Sequence, residues 1–177
     1  MRCHSLQNCV WASFKVSGVQ AMTTTRYGGV SQYPFNSLNL ADYVGDDLDS
    51  VARNRRLLQK ELPGSKVNWI RQEHGRTVVK AKHGKLQKAD GQWTNKRAWP
   101  LAILTADCLP VVVVDDVASC VGVAHAGWRG MVAGVLQGLV NEMPVNAENL
   151  HVWLGPAIGS NQYEIGEEVL TEFVNAL

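Results

Sequence analysis

A chain of 177 residues, 46% hydrophobic and 19% charged, has the size and composition of one globular domain with its own core. Its formal net charge of +1 excludes the basic footprint of a nucleic-acid binder and the polybasic patch of a membrane-surface protein. No apolar run approaches the ~20 residues that span a bilayer, and Cys9-Val-Trp-Ala-Ser-Phe14 is too short for a signal-peptide core. The expected compartment is therefore the cytoplasm.

The four cysteines, Cys3, Cys9, Cys108 and Cys120, contain no CxxC pair, and a disulfide framework is not expected in a reducing compartment. Cys3, His4 and Cys9 could suggest a metal site, but the first residues of a chain commonly carry no function. Gly18 to Arg26 reads as a strand ended by Tyr27-Gly28-Gly29. Glycines permit positive φ and close backbone approach, so Arg26 is placed to aim into a site. Residues 50 to 62 read as a helix, capped by Asp49 or Ser50 and stopped by Pro63-Gly64. Its Arg53, Arg55, Arg56 and Lys60 are read as a solvated face.

Val67 to Ile70 and Thr77 to Ala81 read as strands, and the turn between them presents His74. Leu101 to Thr105 and Val111 to Val114 are short apolar runs typical of buried strands. Pro110 cannot donate to a ladder and belongs at a strand start or a bulge. Ser119 to His125 reads as the return strand of a hairpin. With Asp116-Val117 as its loop, Cys108 falls opposite His125 on the same face, with Cβ atoms about 5 Å apart. A helix follows Gly130, its stripe of Val132, Val135, Leu136, Leu139, Val140 and Met143 running to Pro144. Its start near Trp128-Arg129-Gly130 offers free N–H groups and a positive dipole end to an anion such as phosphate. Leu150 to Leu154 reads as a buried strand, and a last helix runs from Glu164. No repeat or linker divides the sequence, so residues 1–177 are read as a single domain. Strands and helices do not alternate regularly, which disfavours a doubly wound parallel fold. The expected class is α+β, with mixed β-sheets packed together and flanked by helices in a layered α/β/β/α-like arrangement.

His74, Cys108 and His125 carry the chemistry. Two imidazoles and a thiolate are the ligands of a zinc ion that keeps its fourth position open, the catalytic arrangement. The same residue types also suit a single copper ion or a nucleophilic Cys108 with His125 as its base. A multicopper centre also needs His-x-His pairs, and the five histidines here form none. Asp107 is read as a proton carrier beside the thiolate, as an anchor that orients a metal ligand, or as a turn aspartate bonded to backbone N–H groups.

Thr25-Arg-Tyr-Gly-Gly-Val-Ser31, Ser37-Leu-Asn-Leu40, Gln72-Glu-His-Gly75, Thr105-Ala-Asp-Cys-Leu-Pro110, His125-Ala-Gly-Trp-Arg-Gly130 and Leu154-Gly-Pro-Ala-Ile-Gly159 form six ordered blocks. In these the chain resembles the laccase-domain family, also called the multicopper polyphenol oxidase or peptidoglycan editing factor family. The resemblance implies zinc ligation by His74, Cys108 and His125, with Arg26 and Asn39 lining the same pocket. It implies phosphorolysis of purine nucleosides and deamination of adenosine, with a pocket for phosphate to which Arg26 and Arg129 could contribute. A bound zinc ion lowers the pKa of water towards ~7, which suits the deamination. A Cys-His amidase, a copper polyphenol oxidase and a non-catalytic domain with a structural site or interaction surface are the alternatives. Two residues depart from the family pattern, Glu73 at a usually apolar position and Gly91 in Ala89-Asp-Gly91. Family members also continue past the final helix, so the chain is expected to lack the family's C-terminal portion.

Overall fold

The computed structural model describes residues 9–14 and 16–176; the Cys3 and His4 reading lies outside them. The main scaffold is a mixed five-stranded sheet, built from β4 (Val78–Lys80), β6 (Gly91–Thr94), β7 (Leu109–Asp115), β8 (Val121–Ala126) and β9 (Leu150–Leu154). Spatial order is β4-β6-β8-β7-β9, with β4 parallel to β6 and the other neighbours antiparallel. Two small ladders accompany it: β1 (Val10–Trp11) with β2 (Met22–Thr23), and β3 (Ile70–Arg71) with β5 (Gln87–Lys88). Four helices complete the α+β fold: α1 (Leu48–Glu61), α2 (Trp128–Ala133), α3 (Val135–Glu142) and α4 (Glu167–Ala176).

Alternation along β7 and β8 divides the core between the two sheet faces. Val111, Val113 and Ala124 pack with Val135, Leu139 and Met143. Burial of such a side chain contributes roughly 1.5–3 kcal/mol. Pro110, Val112 and Val123, on the opposite face, line a groove whose far wall includes Met22 of β2 and Leu58 of α1. Helix α3 thus covers one face of the main sheet, and β2 and α1 stand across the groove from the other.

Several elements differ from their sequence reading for identifiable reasons. The strand expected over residues 18–26 is reduced to Met22–Thr23. Helix α1 starts at Leu48 because Asp47, extended at φ −62 and ψ 119, caps it by accepting from the Ser50 amide at 2.9 Å. Arg55 is not a solvated residue: it donates to the Leu40 carbonyl at 2.9 Å and stacks over Trp69. Residues 101–105 form no strand. They make one isolated bridge, Asn68 with Leu101, and side-chain amides replace the missing ladder. Gln72 bonds both the N–H and the C=O of Leu104, at 2.6 and 2.7 Å, and Gln92 donates to Ala102 at 2.8 Å.

The helix expected after Gly130 begins at Trp128 and is broken in two. Gly134 adopts φ 90, closing α2 with its N–H on Gly130 and Met131 before α3 begins; the left-handed conformation favours glycine there. Strand β9 has its expected bounds but is a sheet edge, with Trp153 buried and Val152 and Leu154 exposed. Helix α4 starts at Glu167, three residues after the expected Glu164. No helix among the described residues is long and apolar enough to cross a membrane.

Candidate metal centre and adjoining groove

The hairpin of β7 and β8 brings two of the three candidate ligands together, in a register two residues from the expected one. Pro110, not Cys108, lies opposite His125. The loop is longer than Asp116-Val117 because the Asp115 carboxylate accepts from the Cys120 amide and the Ser119 hydroxyl, both at 2.7 Å, and holds a wider turn. A two-residue offset preserves the face, so Cys108 stays on the side of His125, diagonal to it.

His74 arrives from the loop after β3. Its backbone is left-handed at φ 57, a region in which histidine is among the more frequent non-glycine residues. Its ring stands edge-on to that of His125, with centroids 4.7 Å apart and planes at 86°. The candidate ligand atoms of His74, Cys108 and His125 all lie within 4.8 Å of one another. Tetrahedral zinc at ordinary bond lengths needs separations of about 3.5 Å, a spacing that the 4.8 Å bound admits. The space is present: a Cβ on Gly127 would lie 3.1 Å from Cys108 Sγ, 3.3 Å from His74 Cδ2 and 3.6 Å from His125 Cε1. Two neutral imidazoles and a thiolate are a donor set that fits zinc, and copper also. Among the described residues this is the one such cluster of histidine, cysteine and acidic groups.

Asp90, absent from the sequence-derived site, holds the cluster. It is buried just before β6, and its carboxylate accepts from the amides of Glu73, His74 and Gly75 at 3.1, 2.9 and 2.7 Å. The same carboxylate lies 2.9 Å from His125 Nδ1. Burial opposes its ionisation, but the bonds from His125, Gly75 and Glu73 outweigh burial and hold its pKa below the usual carboxylate value. Burial and the nearby charges of Asp107 and Asp90 push the Cys108 thiol up; a bound cation is what makes such a sulfur a thiolate. The two residues that departed from the family pattern have local explanations. Glu73 turns outward to pair with Lys88 at 2.8 Å, and a Cβ on Gly91 would approach Val78 to 2.9 Å.

The groove on this sheet face has a volume of about 840 Å³. It reaches Ala106 and Pro110, on either side of Cys108 in sequence, but the three candidate ligands do not line it. Arg26 and Asn39 do line it. Arg26 is held by Asn36, donating to its carbonyl at 2.8 Å and its side-chain oxygen at 3.3 Å. The Asn39 amide group is committed to Ala41 and Asp46. Buried Asn54, a second residue missed in sequence, organises this wall: it donates to Ser31, Ser37 and Asn39 and accepts from Val30. Arg129 is exposed and stacked on Trp128 at 4.2 Å, outside the groove lining. The exposed Asp107 engages Ile158 through its backbone carbonyl, not its carboxylate.

This fold and cluster define a class. The chain belongs to the family described as multi-copper polyphenol oxidoreductase laccase, whose model matches residues 20–177. Among curated relatives, it is 47% identical over 158 residues to a purine nucleoside phosphorylase of Pseudomonas aeruginosa, covering 89% of this chain and 65% of the relative. It is 44% identical over 161 residues to the purine nucleoside phosphorylase YfiH of Escherichia coli, covering 89% and 66%. The chain thus spans just under two thirds of the length of these relatives. Among solved structures, a Neisseria meningitidis protein superposes with a TM-score of 0.90 at 38% identity, over 96% of this chain and 71% of that one. YlmD from Geobacillus stearothermophilus superposes with a TM-score of 0.82 at 33% identity, over 88% and 64%.

Proposed function

We propose that this chain carries the metal site of a zinc-dependent purine nucleoside phosphorylase that also deaminates adenosine. The observation that carries the reading is the convergence of His74, Cys108 and His125 within 4.8 Å, beside a groove of about 840 Å³. Relatives named as purine nucleoside phosphorylases support the substrate class. When bound, zinc with an open position supplies a Lewis acid and lowers the pKa of water towards ~7.

The chain's own residues do the rest. Asp90 orients His125 and the His74 loop, and Gly127 leaves the approach to the ligands clear. Trp69, Trp99 and Phe35 in the groove lining offer apolar surface to a planar heterocycle. Arg26 in that lining and Arg129 beyond Gly127 are the cations we assign to inorganic phosphate. The exposed carboxylate of Asp107, beside Cys108, is the candidate proton carrier. Copper fits the same donors, but a multicopper oxidase needs more clusters than the one found among the described residues. We assign small-molecule substrates rather than nucleic acid or membrane, and a cytoplasmic setting, where a free thiol is maintained.

One observation favours a second reading. Asp90, His125 and Cys108 have the order of a Cys-His-Asp hydrolase, in which the carboxylate orients the base. Two measurements on the full-length protein test the first reading: elemental analysis for bound metal, and product analysis of adenosine incubated with phosphate. Bound zinc with release of adenine and inosine is expected; neither metal nor nucleoside turnover overturns it.

A further inference from the structure

We infer that Asp90 is the positioning residue that presets both histidines of the centre, and that it governs how tightly metal is held. This rests on the metal reading of His74, Cys108 and His125. One carboxylate reaches two ligands by different routes. Oδ1 accepts the backbone amide of His74 at 2.9 Å and faces ring Nδ1 of His125 at 2.9 Å. Oδ2 accepts the amides of Glu73 at 3.1 Å and Gly75 at 2.7 Å. Three consecutive amides therefore close on one side chain, a concave anion nest that holds His74 at its left-handed φ of 57.

The same bond selects the tautomer of His125. A carboxylate that already accepts three N–H groups is an acceptor only, so the proton between it and His125 resides on Nδ1. That leaves the Nε2 lone pair as the one available to metal. The backbone adds a second constraint, because the His125 amide donates to the Asp90 carbonyl at 2.7 Å. Asp90 is 1% exposed and His125 3%, so water does not compete for these bonds. His74 sits on an exposed loop, and Asp90 ties that loop to the start of β6 and to His125 of β8. A ligand set held in place before metal arrives loses less freedom on binding, and outer-shell changes of this kind typically cost ~10–100-fold in metal affinity.

The test is Co(II) titration of chelator-stripped full-length protein, as wild type and as Asp90→Asn. Asparagine retains size but presents an NH₂ group where a carboxylate oxygen accepted. The expected result is ~10–100-fold weaker Co(II) binding and a changed cobalt–thiolate absorption spectrum, with thermal unfolding still cooperative. Affinity within about twofold of wild type and an unchanged spectrum would overturn the inference, whatever the effect on activity. Should Asp90→Asn fail to fold, ¹⁵N-histidine NMR of the metal-free wild type decides. A His125 protonated on Nδ1 supports the assignment, and one protonated on Nε2 overturns it. A wild type that takes up no Co(II) overturns the metal reading itself, and this inference with it.

Discussion

Asp90 and His125 face one another across the start of β6 and the end of β8, joined through backbone at 2.7 Å and through side chains at 2.9 Å. Because Asp90 also closes the loop carrying His74, disturbing any ligand should register first in metal binding and only then in stability.

His74→Ala separates the two chemical readings. If the centre is a metal site, this change and Cys108→Ala should each weaken zinc binding more than ~100-fold, beyond the ~10–100-fold typical of an outer-shell change. Nucleoside turnover should fall in parallel. Amide hydrolysis that survives His74→Ala and disappears with Cys108→Ala would assign the chain to the cysteine hydrolases instead.

Gly127→Ala tests the space between the ligands. The residue has φ −68 and ψ 157, which alanine adopts without strain, so the effect of the new methyl is steric. Placed 3.1 Å from Cys108 Sγ and 3.3 Å from His74 Cδ2, it should lower metal affinity while Tm stays within a few degrees. Gly159→Ala, where a Cβ meets nothing within 4 Å, is the control. Equal metal affinity in the two variants would argue against a site at this point.

Asn54→Ala should destabilise the protein by about 2–4 kcal/mol, since it leaves several groups of a buried network unpaired. The expected readout is a lower urea midpoint with an unchanged m-value. Its bonds organise residues 30–39, so the wall bearing Arg26 and Asn39 should loosen too, and KM for nucleoside should rise. A loss below about 0.5 kcal/mol would show that water replaces the network readily.

Asp115→Asn should change the acid limb of stability. Burial opposes ionisation of Asp115, but bonds from the Ser119 hydroxyl and the Cys120 amide prevail and hold its pKa below the ordinary value. A depressed folded pKa contributes stability that is present above the unfolded value of about 3.9 and lost as pH falls through the folded one. Wild type should therefore exceed the variant most at pH 6, with the gap closing below about pH 4. A gap independent of pH, measured by urea unfolding at pH 6 and pH 3, would remove the ionised carboxylate from the explanation.

Much of the scaffold and the ligand trio could be read from local pattern. The stripe through Val135, Leu139 and Met143, the apolar runs of β7 and β8, and the Pro63-Gly64 breaker after α1 each leave a periodic or punctuating mark within a few residues. His74, Cys108 and His125 stood out as residue types that metals require. What local pattern missed has one physical origin. Asp90 acts on residues 15 to 35 positions away, Asn54 on residues up to 24 away, and Gln72 on Leu104, 32 away. Such bonds carry no period.

By itself, the sequence determined most of the elements, their apolar faces and the identity of the candidate metal ligands, because propensity and patterning act over one or two turns or a single strand. Tertiary structure alone decided the two-residue register of the β7–β8 hairpin, the strap at residues 101–105 and the break at Gly134. It also decided that one buried aspartate would hold two histidines. The reason is that a hydrogen-bond partner distant in the chain becomes known only when the chain has folded back upon it.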